Sequence, residues 1–174
     1  MAQTYFIDGY NLLLHAPELK RLANRDLESA RETFINMIIP WCMNSGEQVN
    51  IIFDGQGRRT EKAESEHVAP NLNVIYTSGN TTADAIIERA VFKSQQRMSV
   101  IVVSADRGIV DLCMGMGALI MSPANFWTQI QESDQQVERK IASSKENSSL
   151  NRMEDRLGSD AMDKLKKLRD SLDD

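Results

Sequence analysis

Thr4-Tyr5-Phe6-Ile7-Asp8-Gly9-Tyr10-Asn11 is the stretch on which the reading of the whole chain turns. Its short apolar run stops at an aspartate and a glycine, the form of a strand buried on both faces. Similar runs recur at Val49–Asp54, Leu72–Tyr76, Val100–Ser104 and Ala118–Met121. Between them, Leu27, Ala30, Phe34, Ile38 and Trp41 repeat at helical spacing, as do Ala83, Ile86, Ile87, Ala90 and Val91. Strands alternating with helices predict an α/β fold: a Rossmann-like, doubly wound parallel sheet of about five strands flanked by helices. The segment Gly55–Pro70, charged and without periodicity, is read as a long polar connection.

In an open parallel sheet, ligands gather at the carboxyl ends of the strands. The first strand ends at Asp8, the second at Asp54, and the fourth runs into Asp106. After the third, Gly79-Asn80-Thr81-Thr82 leads into a helix carrying Asp84 in its first turn and Glu88 one turn later. Four aspartates are thus expected on one rim. Like charges brought together are costly unless a cation neutralises them, and Mg²⁺ or Mn²⁺ takes such oxygen ligands. Divalent ions supply what phosphodiester hydrolysis needs. On this reading Asp8, Asp84 and Asp106 are metal ligands, and Asp54 holds a second ion or orients water. Asn11 and Ser104 position phosphate or ligand waters, and Glu88 is an outer partner.

Each aspartate has an architectural explanation as well. Asp84 stands three residues after Thr81, a capping-box spacing; Asp106 suits a helix N-cap; Asp8-Gly9 and Asp54-Gly55 are common turn pairs. It is the four positions together that point to a site. Arg58, Arg59 and Lys62 follow the second strand and are candidate contacts to a nucleic-acid backbone, or else a solvated loop. Arg107 pairs with Asp106 or contacts phosphate. Tyr10 packs, or stacks on a base. His15 and His67 form no metal-spaced set and are read as non-catalytic.

Bulk properties narrow the classes. A net charge of −5 over 174 residues argues against tight non-specific binding to nucleic acid, but not against a metal-dependent nuclease. No apolar run reaches the length of a membrane span. The N-terminus lacks signal-peptide features, and Cys42 and Cys113 read as free thiols, so a cytoplasmic location is expected. After about Gln129 the composition turns polar. Ser143–Ser149 is a break, and Leu150, Met153, Leu157, Ala161, Leu165, Leu168 and Leu172 form one apolar stripe. That stripe either packs on the domain or serves as a docking or self-association helix. The organisation expected is residues 1–128 as the nuclease domain and 129–174 as a charged helical extension.

Phe6-Ile7-Asp8-Gly9-Tyr10-Asn11-Leu12-Leu13 and Ile51-Ile52-Phe53-Asp54-Gly55 resemble the YacP-like branch of the NYN domains. Thr82-Ala83-Asp84-Ala85-Ile86-Ile87-Glu88-Arg89 and Val102-Val103-Ser104-Ala105-Asp106 resemble its later motifs. The resemblance covers about residues 4–128. It implies a PIN-like fold, divalent metal, and endoribonuclease action on messenger or structured RNA, with a ribosome-associated substrate among the options. By position it implies Asp8, Asp84 and Asp106 as metal ligands and Asn11 as part of the site.

Other classes fit less well. A haloacid-dehalogenase phosphatase needs a second aspartate where Tyr10 stands. A receiver domain needs a lysine after the last strand, where this chain has Met121-Ser122-Pro123. A non-catalytic RNA- or ribosome-binding module on the same fold is the remaining alternative, and a protein-interaction role for the C-terminal helix is compatible with either.

Overall fold

The computed structural model describes residues 2–55, 64–78, 81–133, 135 and 139. The chain divides into two compact units, Met1–Asp134 and Gln135–Asp174. Arg58, Arg59, Lys62, the Ser143–Ser149 break and the leucine stripe lie outside the described residues.

The first unit runs β1 (Thr4–Asp8), α1 (Gly9–His15), α2 (Pro17–Ala23), α3 (Leu27–Ser45), β2 (Gln48–Phe53), β3 (Glu64–Ala69), β4 (Leu72–Tyr76), α4 (Ala83–Lys93), β5 (Val100–Val103), α5 (Arg107–Gly115) and β6 (Leu119–Met121). A last helix, α6, covers residues 123–133. The strands form one six-stranded sheet in the order β3-β4-β2-β1-β5-β6. All neighbours are parallel except β3, which pairs antiparallel with β4.

Strand β3 is the departure from the expected sheet. It falls within Gly55–Pro70, where Glu64-Ser65-Glu66-His67-Val68-Ala69 lacks the apolar run that marks the other strands. As an edge strand it pairs on one side only, and polar side chains there discourage pairing with another chain. The turn behind it is held by Asn71, whose Nδ2 donates to the Cys42 and Glu47 carbonyls at 2.6 and 2.7 Å.

Both sheet faces are covered, which is why the central strands read as continuous apolar runs. One core joins Ile7, Ile51, Phe53 and Val74 of the sheet to Leu12, Phe34, Ile38, Trp41, Phe126 and Ile130 of α1, α3 and α6. The other joins Ile52, Val100 and Val102 to Ile87, Val91, Ile109 and Cys113 of α4 and α5. Helix α3 starts at Asp26, whose Oδ1 accepts the Glu28 and Ser29 N–H groups, and stops at Gly46 in the left-handed region (φ 70°).

Helix α6 is tied to α1 by Trp127, whose indole N–H donates to the Leu12 carbonyl at 2.9 Å in a buried contact. Leu12 lies in the last turn of α1, where carbonyls lack helical partners. Trp127→Phe is expected to leave that carbonyl unpaired and cost about 1–2 kcal/mol, read as a shift of the urea unfolding midpoint at unchanged slope.

Candidate active site

The register sets the rim. Asp8 pairs with Ile52, Ile7 with Val103, and Phe53 with Tyr76. Parallel strands in this register finish side by side, so Asp8, Asp54 and the Ser104–Asp106 turn emerge at the same end of the sheet. The α4 start, with Asp84, follows β4 at that end. The strand order reverses between β1 and β5, so Asp8 and Asp106 flank the switch point where α/β sheets bind ligands.

Capping and site placement prove to be the same geometry. Asp8 is the N-cap of α1, its Oδ1 accepting the Asn11 N–H at 3.1 Å. Asp106 is the N-cap of α5, its Oδ1 accepting the Gly108 N–H at 2.7 Å. Each cap engages one oxygen of a carboxylate that has two. Helix α4 is capped by Thr82, which accepts the Ala85 N–H at 3.2 Å; the cap is therefore not Thr81, and Asp84 is not the partner in a capping box.

Two residues brace the rim across the sheet. Asn11 Oδ1 accepts the Ala105 N–H at 3.2 Å, tying α1 to the turn that carries Asp106. Asp54 Oδ1 accepts the Ala83 N–H at 2.6 Å and the Thr77 hydroxyl at 3.4 Å, so Asp54 anchors the helix turn bearing Asp84. Thr77, which the sequence did not single out, is fully buried and also accepts the Gly55 N–H at 2.9 Å.

Neither Asp-Gly pair is a left-handed turn, because the positive-φ glycines among the described residues are Gly46 and Gly117. The glycines serve close approach instead. A Cβ on Gly9 would meet the Phe53 ring at 2.5 Å, and one on Gly55 would stand 1.9 Å from the Thr77 carbonyl oxygen. Gly55→Ala must therefore push β2 from the β4 end. The expected cost is about 3 kcal/mol, with a loss of site geometry, read by thermal denaturation and by cleavage assay.

Ser104, read as positioning phosphate or ligand waters, is buried at 2% exposure, and its hydroxyl oxygen accepts the Asp106 N–H at 3.1 Å. It shapes the turn beneath the site. Arg107 is exposed at the first position of α5, beside Asp106. Tyr10 packs edge-on against Phe53 at 5.2 Å between centroids, and its hydroxyl accepts from Arg31 at 3.3 Å. His15 ends α1, and exposed His67 contacts Asn73 through Nδ1 at 2.8 Å, away from the rim.

The electrostatics record the convergence. Asp8 is pushed up to about 6, first by burial and then by the negative charges of Asp84, Asp54 and Asp106, against the opposing Asn11 hydrogen bond. Asp84 is raised by burial, Asp106 and Asp54. The Cys113 thiol, raised to about 11 mainly by burial, also senses Glu88 and Asp84. Among the described residues, no three His, Cys, Asp or Glu side chains stand close enough to hold one ion directly.

Comparisons with known proteins agree with this architecture. The family described as the YacP-like NYN domain matches residues 5–170, reaching through the extension that the sequence motifs left outside. A curated relative, the uncharacterized protein YacP of Bacillus subtilis (strain 168), is 28% identical over 137 residues, 78% of this chain and 79% of that protein. The crystal structure of Rae1 (YacP) from Bacillus subtilis superposes with a TM-score of 0.68 at 23% identity, covering 95% of this chain and 94% of that one. A tryptophan-to-leucine mutant of that protein superposes with a TM-score of 0.65 at 25% identity, over 82% of each chain.

Proposed function

Since the chain belongs to the YacP-like NYN domain family, a group of PIN-like fold whose members are generally nucleases, we propose that it is a Mg²⁺- or Mn²⁺-dependent endoribonuclease. The observation that carries the proposal is Asp8, held up to about 6 by burial and by three further carboxylates on one rim. Such a cluster is costly alone and is relieved by a cation.

A divalent cation bound there supplies an activated water and neutralises charge developing on the phosphate. The chain's own residues do the rest. Asp8 and Asp106 offer their uncapped oxygens to the cation or its waters, and Asp84 faces them from α4. Asp54 fixes the α4 start through Ala83, and Asn11 fixes the Asp106 turn through Ala105. The N-termini of α4 and α5 bring partial positive charge to the rim, and Arg107 reaches a substrate phosphate. Attack by water that breaks the bond from phosphorus to the 3′-oxygen, which leaves and takes up a proton, gives 5′-phosphate and 3′-hydroxyl ends, whereas attack by the RNA's own 2′-hydroxyl with loss of the 5′-oxygen would give a 2′,3′-cyclic phosphate and a 5′-hydroxyl.

Labelled single-stranded and hairpin RNAs, incubated with Mg²⁺, Mn²⁺ or EDTA, provide the test. Metal-dependent cleavage with 5′-phosphate products is expected. Cyclic phosphate ends, or RNA binding without cleavage in any metal, would contradict the proposal.

A further inference from the structure

At the end of the sheet opposite the acidic rim, the chain leaves α4 and enters β5 through residues 94–99, which close in one 3₁₀ turn, Arg97–Ser99. Phe92, Lys93, Gln95, Arg97, Met98 and Met116 are among the residues lining a shallow groove there of about 880 Å³. Two large apolar side chains stand out into solvent: Phe92 is 65% exposed and Met98 80%. An exposed apolar residue by itself needs no explanation, but these two share their groove with two cations. No carboxylate is among the described residues that line it.

The groove is built around Arg97. Its Nη2 donates to the Phe92 carbonyl at 3.1 Å, and its guanidinium carbon lies 5.7 Å from the Phe92 ring centroid. Its Nε is buried and has no hydrogen-bond partner among the described residues. A buried donor left unpaired asks for a reason, and holding the guanidinium against the ring supplies one. A helix C-terminus ordinarily presents carbonyls that repel an anion. Here the Ser94 N–H donates to the Ala90 and Val91 carbonyls at 3.1 and 3.2 Å, and Arg97 occupies that of Phe92. The end of α4 is thus a positive, aromatic surface on a chain whose net charge is −5.

Charge and shape select the occupant. An exposed ring beside cations, with no carboxylate among them, suits single-stranded nucleic acid: phosphates meet the cations, and a base of any sequence offers a π-face to the ring. An anionic bilayer fits less well, since its recognition takes about 4–8 clustered Lys or Arg. This face has Lys93, Arg97 and, one turn earlier on α4, exposed Arg89. We propose that the Phe92–Lys93–Arg97 groove is a second RNA contact, stacking one base of a single strand whose scissile phosphate lies at the acidic rim.

Helix α4 sets the spacing. It carries Asp84 in its first turn and Phe92 and Lys93 in its last, about 13 Å apart along the axis at about 1.5 Å per residue. A strand of a few nucleotides covers that length, so one RNA can engage both ends. The inference rests on RNA being the substrate of the rim, and its binding arm is therefore read without cleavage.

The test measures binding of a fluorescein-labelled 16-nucleotide oligouridine by anisotropy, using the full chain carrying Asp8→Asn so that no turnover intervenes. Adding Phe92→Ala is expected to weaken binding about tenfold, the scale of one lost base–aromatic stack, at an unchanged thermal midpoint because the ring is exposed. Phe92→Trp is expected to retain the affinity. Lys93→Gln is expected to make the slope of log K against log salt shallower by about 0.7, one phosphate contact on a single strand. In cleavage by the chain with Asp8 intact, the loss in Phe92→Ala is expected in KM rather than in kcat. Unchanged RNA affinity in Phe92→Ala would overturn the anchor, as would a loss that Phe92→Trp fails to restore. Binding to phosphatidylserine vesicles, or self-association in sedimentation, that Phe92→Ala abolishes while RNA affinity stays the same would give the face to a membrane or a second copy instead. Cleavage with a KM indifferent to Phe92 removes the anchor and leaves the nuclease, whereas Phe92-dependent binding without cleavage does the reverse.

Discussion

Asp8→Asn is expected to lose cleavage by about 10²–10³-fold, the scale for removing one group that manages transition-state charge, while the folded protein becomes more stable. The asparagine oxygen keeps the cap to the Asn11 N–H, so the α1 start is retained. What disappears is a charge that burial and Asp84, Asp54 and Asp106 all oppose. The folded-state value near 6 lies above the ordinary carboxylate value of 3.8. Below about pH 4 both states hold the proton and Asp8 contributes nothing. Between about 4 and 6 the unfolded chain ionises first, so the folded state loses stability as pH rises, and the loss is complete above about 6. A shift of this size corresponds to at most about 3 kcal/mol. In the absence of divalent ions, urea unfolding at pH 7.5 is expected to favour Asp8→Asn by about 1–3 kcal/mol, with the difference vanishing by about pH 3. Added Mg²⁺ is expected to raise the wild-type midpoint and leave the variant nearly unmoved. A variant less stable than wild type at pH 7.5 would mean that the carboxylate is there for architecture.

Asp54 is expected to behave differently. Its Oδ1 accepts from Ala83 and Thr77, and Ala83 is buried at the start of the helix that carries Asp84. Asp54→Ala leaves the Ala83 N–H without that partner and is expected to cost about 2 kcal/mol. With the α4 start released, cleavage is expected to drop by about 10²-fold, because small misplacements of a catalytic group are expensive. Asp54→Asn retains an acceptor oxygen, so it is expected to keep most of the stability and to cleave within about tenfold of wild type. Thermal midpoints and initial rates on the same preparations separate the roles. If Asn and Ala abolish cleavage equally while Asn stays stable, Asp54 works as a ligand rather than as an anchor.

The contrast between these aspartates shows what the sequence could carry. Strands β1, β2, β4 and β5 were legible because both faces are buried, which leaves an apolar run, and their last residues then mark the rim. Asp8, Asp54, Asp84 and Asp106 follow from that reading alone. Strand β3 was not legible, since an edge strand with one neighbour has no need of an apolar run. The division of labour within the rim was also hidden. Thr77 looks like any polar residue after a strand, and only the β2–β4 register shows that it braces Asp54 and Gly55. The glycines after Asp8 and Asp54 looked like turn formers, but the Phe53 ring and the Thr77 carbonyl are what exclude a side chain. Arg31 did leave a signal: it adjoins Ala30 on the apolar face of α3, three residues before Phe34, where a charged residue has no routine place.

The most direct test of the acidic rim is to measure bound Mn²⁺ by electron paramagnetic resonance and RNA cleavage on the same samples, for wild type and for the Asp8→Asn/Asp106→Asn variant. Cleavage in the wild type is expected to rise in proportion to bound Mn²⁺ and to vanish in EDTA, while the variant neither binds the ion at the same concentrations nor cuts. Cleavage that persists in EDTA, or a variant that cuts as well as wild type, would contradict a metal-dependent nuclease centred on this rim.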